Sequence, residues 1–138
     1  MIGTMNTTDR SLAQIDYALR RRFFFYQLLP VVDGRAPVLE RWLAKRDLAP
    51  RLRDRLLSLF VALNLRVQQE LGAQFQVGHS YFMVPGIGTD VGLRLIWRRS
   101  VMPLLTEYFY NYRNRDVLLR EFELDKLLES GPTEAQAK

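Results

Sequence analysis

Apolar and polar positions follow several rhythms along this chain. The opening Met1-Ile2-Gly3-Thr4-Met5 is a short apolar run that gives way to the polar cluster Asn6-Thr7-Thr8-Asp9, the pattern of a buried strand feeding a loop. Ser11 and Gln14 then stand at capping-box spacing, and Leu12, Ile15 and Leu19 recur on one helical face before Arg20-Arg21-Arg22 closes the segment. Phe23 to Leu28 is a continuous β-favouring run, short enough to be a buried strand. The first thirty residues therefore read strand, helix, strand.

The texture changes at Pro30-Val31-Val32-Asp33-Gly34-Arg35-Ala36-Pro37, where proline and glycine punctuate a segment without periodicity and mark a subdomain boundary. Val38 to Arg46 reads as a short helix. Pro50 opens a longer one, in which Leu52, Leu56, Phe60, Leu63 and Val67 hold a 3.6-residue period and Gly72 supplies the stop. Ala73 to Thr89 is irregular and ends in a glycine-rich loop. Asp90 is placed to cap the next helix, and Pro103 to kink or restart it before Leu104, Leu105, Tyr108 and Phe109. A last helix is expected from about Asp116 to Ser130, stopped by Gly131-Pro132. Thr133 to Lys138 is small and polar, as expected of a frayed tail.

With 138 residues, 48% apolar and 25% charged, the chain has the makings of one ordinary core. The longest apolar stretch, Phe23 to Val32, is interrupted by Gln27 and Pro30 and falls short of the roughly 20 residues that a spanning helix needs. No membrane association is expected. No basic start precedes an apolar run and a cleavage site, and cysteine is absent, which excludes disulfides and thiolate metal sites. These features point to a cytoplasmic location. The net charge of +5 comes mostly from arginine, whose planar guanidinium grips phosphate oxygens two at a time. A solvated basic surface gives the same composition.

Taken alone, the chemistry-bearing residues have ordinary structural readings. Asn6, between a strand and a helix, suits a turn or cap, and the triple arginine suits a helix end that complements the macrodipole. His79 is the single histidine and lacks nearby Cys, Asp or Glu partners, so it makes a poor metal site and a better structural hydrogen-bonding group. No metal site is expected. Gly86-Ile87-Gly88-Thr89-Asp90-Val91-Gly92 is glycine-rich, yet it lacks the lysine and preceding strand of a phosphate-binding loop, and no Gly-x-x-x-x-Gly-Lys-Ser/Thr occurs.

Two blocks change that weighting. Ile2-Gly3-Thr4-Met5-Asn6-Thr7-Thr8-Asp9-Arg10-Ser11, followed by Asp16-Tyr17-Ala18-Leu19-Arg20-Arg21-Arg22-Phe23, closely resembles the McrB family of AAA+ NTPases. The family joins a Met-Asn-Thr-x-Asp-Arg-Ser signature to Ala-Leu-Arg-Arg-Arg-Phe at this spacing. Gly78-His79-Ser80-Tyr81-Phe82 and Trp97 to Phe109 also look like its C-terminal region, so the resemblance reaches from the first residue to about Tyr110.

The resemblance implies a mainly α chain, the C-terminal helical lid of an AAA+ module preceded by a strand-helix-strand remnant of its α/β core. Residues 1–30 would be the core edge, 31–130 the lid and 131–138 the tail. It assigns Asn6 as the sensor-one residue beside the γ-phosphate. A neutral amide there donates to a phosphate oxygen and accepts from the attacking water without adding repulsive charge. It also makes Arg21 and Arg22 the candidates for an arginine finger reaching a neighbouring subunit, and Arg10 a phosphate or subunit contact. His79 acquires a possible nucleotide-facing place. The parent would use Mg2+ with GTP or ATP, assemble as a ring of like subunits, and drive a partner nuclease in modification-dependent DNA restriction, contacting DNA through other parts. Without the phosphate-binding loop or the acidic strand end for magnesium, the chain reads as a truncated or fragmentary piece, inactive alone and with no nucleotide expected bound. Two further readings share the composition. One is a basic helical nucleic-acid-binding module, favoured by Phe109-Tyr110-Asn111-Tyr112-Arg113-Asn114-Arg115; the other is a helical protein-interaction adaptor.

Overall fold

The computed structural model describes residues 22, 24 and 26–129. Their architecture is helical: α1 (Pro37–Ala44), α2 (Pro50–Leu71), α3 (Asp90–Ile96), a π-helical turn (Trp97–Val101), α4 (Met102–Tyr108), α5 (Arg115–Glu121) and α6 (Leu124–Glu129), with 3-10 turns at Ala73–Phe75 and His79–Tyr81. The strand, helix and first loop expected before Arg22 lie outside the described residues, as does the tail from Ser130 onward.

The strand expected over Phe23 to Leu28 is not seen in the part that is described. Phe24, Tyr26 and Leu28 are 98%, 82% and 83% exposed and unpaired. β propensity expresses itself only against partner strands and a covering layer, and the described residues supply neither. Burial begins at Val31. There Asp33 and Gly34, both at positive φ (49° and 70°), turn the chain in type I′ geometry between Val32 and Arg35, which exchange both backbone hydrogen bonds.

The long helix α2 organises the body. Proline stands at its start, and it ends at Gly72, whose φ of 101° is open to glycine at little steric cost. Leu56, Leu59, Phe60, Leu63 and Val67 are buried along it, the broad stripe that a surface helix lays on a core. Leu39 and Leu43 of α1 and Leu127 of α6 join the same cluster, with α1 and α6 both packed on α2. Leu52, expected on this stripe, is only half-buried.

Two boundaries differ from the sequence reading. Thr89, not Asp90, is the N-cap of α3: its Oγ1 accepts from the Gly92 N–H at 3.0 Å and donates to the Gly86 carbonyl at 3.1 Å. A β-hydroxyl at the last extended residue reaches the N3 amide, whereas Asp90 is already inside the first turn. The last helix is two helices, because the backbone breaks at Phe122-Glu123. Phe122 is fully buried, and seating its ring in the core takes its backbone out of register.

Pro103 does not kink a helix by itself. The wider π turn precedes it, with the Met102 N–H bonded to the Trp97 carbonyl five residues back, and Pro103 then falls in the first turn of α4. A missing N–H costs little there. Exposed ion pairs tie the outer helices: Arg94 meets both oxygens of Asp125 at 2.8 and 3.1 Å, and Arg55 meets Asp90 at 3.1 Å. The Arg94 hydrogen bond holds the Asp125 carboxyl below its ordinary range.

Candidate functional site

The segment Gly78-His79-Ser80-Tyr81-Phe82, irregular by sequence, is held in place from three sides. Asn64, buried on α2, accepts from the Val77 N–H and donates to the Phe60 carbonyl at 3.1 Å. Gln76 accepts from the Val31 N–H at 2.8 Å, and its amide nitrogen reaches the Val31 carbonyl at 3.1 Å and Gln68 at 2.8 Å. Phe82 then inserts between Phe60 and Trp97, edge-on to both, at 4.9 and 6.3 Å between ring centroids. A loop thus gains the anchoring of a core element, because the Asn64 and Gln76 amides that hold it are themselves hydrogen-bonded.

Neither Asn64 nor Gln76 was legible as a structural residue. Asn64 falls inside the apolar period of α2, where only an amide breaking a buried stripe could have drawn attention to it.

The 3-10 turn at His79–Tyr81 borders an open cleft of about 450 Å³. Tyr81, Val84, Pro85 and Leu95 give it apolar walls, and Arg99 and Ser100 from the π turn bring polar groups to it. Single π turns inside α-helices recur at functional sites because the extra residue redirects side chains. His79 lies next to this lining. Its Nδ1 is buried and has no hydrogen-bond partner among the described residues, so the expected structural hydrogen bond is not made. A polar nitrogen left this way costs about 1–3 kcal/mol.

The glycine loop is built for close packing. A β-carbon on Gly92 would collide with the Gly86 carbonyl, and one on Gly88 would press on the Leu48 side chain. With the Gly86 carbonyl engaged by the Thr89 hydroxyl, the loop is a tight cap for α3 and its glycines are accounted for without a phosphate. Of the site residues named from sequence, Asn6, Arg10 and Arg21 lie outside the described residues, and Arg22 is exposed. Of the named residues, His79 and Arg22 are the two with a place among the described residues.

No described helix is long and apolar enough to cross a membrane. The McrB alpha-helical lid domain family matches residues 55–116, from the first turns of α2 to the start of α5. The type IV methyl-directed restriction enzyme EcoKMcrB subunit of Escherichia coli (strain K12) is 39% identical over 118 residues, a match covering 80% of this chain and 25% of that protein. The chain thus spans about a quarter of the curated relative. The cleft, the pinned 78–82 segment and the π turn all fall within the matched lid, and the chain is accordingly of the McrB type, with residues 55–116 forming a McrB alpha-helical lid domain.

Proposed function

We propose that this chain is the sensor edge and lid of an oligomeric McrB-type AAA+ NTPase that hydrolyses GTP or ATP with Mg2+ and drives a partner nuclease in modification-dependent DNA restriction in the cytoplasm. The observation that carries the reading is the lid match over residues 55–116; the cleft, beside which the unpaired His79 nitrogen lies buried, supports it. In this reading residues 1–30 are the last strand-helix-strand of the α/β core, and 31–130 fold over the nucleotide as the lid.

Each residue then has a separate task. Asn6 orients the attacking water at the γ-phosphate. Arg21 or Arg22 crosses to the neighbouring subunit in the ring and stabilises charge on the transferring phosphoryl oxygens, an effect of about 10³ to 10⁵ in rate. Arg10 serves phosphate sensing or the subunit contact. His79 offers its free nitrogen to the nucleotide from the lid side. Bound magnesium would neutralise the β- and γ-phosphate oxygens, and its protein ligands belong to parts of the parent other than this chain.

The test uses the complete parent protein. Replacing the finger arginine, Arg21→Ala or Arg22→Ala, should leave nucleotide binding nearly intact while hydrolysis falls by orders of magnitude, since ground-state contacts come mainly from the phosphate-binding loop. Subunits with that substitution, mixed with subunits carrying Asn6→Ala, should regain turnover at junctions where an intact finger meets an intact pocket. Losses below about threefold for both arginines would overturn the assignment. The 138-residue chain alone should show no turnover.

A further inference from the structure

Not every cation among the described residues is ion-paired, and the unpaired ones are most numerous around the turn from α1 into α2. Arg55, Arg66, Arg94, Arg115 and Lys126 all meet carboxylates. Around the turn from α1 into α2 cations outnumber carboxylates: from Glu40 to Asp54, Arg41, Lys45, Arg46, Arg51 and Arg53 stand against Glu40, Asp47 and Asp54, none of which is ion-paired among the described residues. None of Arg41, Lys45, Arg46, Arg51 and Arg53 has an ion-pair partner among the described residues.

Two of these guanidinium groups are held in position. Arg46 lies over the Trp42 ring, 4.2 Å from its centroid, and the Arg41 Nε donates to the Pro37 carbonyl at 3.3 Å. Trp42 is itself packed against the core, so the platform under Arg46 is fixed. Such contacts lower the side-chain entropy lost when a ligand is gripped.

The first turn of α2 adds to the same positive field. It contains no acidic residue, Ala49 gives it no side-chain cap, and Arg51 and Arg53 occupy it. Cations at the positive end of a helix dipole repel it. The arrangement weakens the isolated molecule and favours an anion placed across the corner.

We propose that the α1–α2 corner is a sequence-independent contact for the phosphodiester backbone of DNA, so that the lid itself touches nucleic acid. Polyanion chemistry fits better than a protein partner. Protein interfaces have apolar, aromatic centres depleted of charge, whereas the corner is densely charged, exposes Val38 as its one large apolar side chain and keeps Trp42 half-buried. Arginine outnumbers lysine here four to one, the bias that bidentate phosphate contact selects. None of its residues lines the cleft or is a finger arginine, so the proposal stands or falls independently of those assignments.

The test is a salt titration of the 138-residue chain on a short labelled DNA duplex, read by fluorescence anisotropy. The unsubstituted chain should bind at low salt with affinity falling steeply as salt rises. Arg41→Gln, Arg46→Gln and Arg51→Gln combined should weaken binding at least about tenfold and reduce the log–log salt slope by about 0.9 for each phosphate contact removed. Arg98→Gln, Arg113→Gln and Arg120→Gln remove the same charge elsewhere and should change affinity by less than about threefold. Circular dichroism confirms the fold of both, and the single Arg51→Gln variant, should the triple one misfold, must show a proportionate loss. Equal losses in the two triple variants, absence of duplex binding, or equal affinity for polyglutamate would each overturn the proposal.

Discussion

The indole Nε1 of Trp97 donates to the carbonyl of Phe122 at 3.0 Å, both residues being buried. That bond joins the π turn to the break between α5 and α6. It also satisfies a carbonyl at the point where the C-terminal segment stops being one helix. Phe122 stacks at a tilt on Phe109, 5.5 Å between centroids, so the break is set by an aromatic anchor.

Trp97→Phe keeps most of the ring and deletes the donor, leaving the Phe122 carbonyl buried and unpaired. A loss of about 1–3 kcal/mol is expected in chemical denaturation. Trp97→Ala adds a cavity and should cost about 3–5 kcal/mol. If Trp97→Phe proves as stable as the unsubstituted chain, the hydrogen bond, and with it the explanation of the helix break, carries no weight.

Asn64 and Gln76 make a second test. Asn64→Ala orphans the buried Val77 N–H, and Gln76→Ala strips both partners from the Val31 backbone. Each should destabilise by about 1–3 kcal/mol. Gln76→Ala should in addition raise hydrogen exchange at the Val31 amide well before global unfolding. Exchange unchanged there would mean that residues 31–36 do not depend on Gln76 for their anchoring.

Gly92→Ala is a single-methyl substitution whose β-carbon meets backbone, the Gly86 carbonyl, instead of a yielding side chain. The gain in helix propensity for α3, about 1 kcal/mol, should be outweighed by the collision. Thermal unfolding below the unsubstituted chain is the expected result, and a rise in Tm would show that the Gly86–Gly92 turn opens freely.

Acid sensitivity follows from two surface carboxyls. The hydrogen bond from Arg94 lowers Asp125, and that from Lys126 lowers Glu121. In each case the unfolded chain binds a proton more readily than the folded one, so stability is fully present above the ordinary carboxylate range. It is lost as pH falls through the lowered values. Melting curves across that window should show a shallower acid limb for Asp125→Asn than for the unsubstituted chain, with the two converging once the carboxyl is protonated. Parallel acid limbs would assign the pH dependence to other groups.

Periodicity alone located α1 and α2 and placed the stop at Gly72, because helical burial and glycine stops are local properties read from spacing. The motif blocks around Asn6 and Arg21 were legible for the same reason: they are contiguous. What needed the tertiary structure was every feature in which distant residues decide. The exposure of Phe24, Tyr26 and Leu28 depends on strands that a β-favouring run cannot supply for itself. The break at Phe122 carries no proline or glycine and arises from a core anchor provided by Trp97 and Phe109. Asn64 and Gln76 look like polar interruptions until the backbone of Val77 and Val31 folds onto them. The basic corner is a run of charges in the sequence, and only the fold shows that none of its five cations finds a carboxylate among the described residues. Local spacing determines which segments are helical, whereas burial, pairing and charge imbalance are sums over neighbours that only the packed chain brings together.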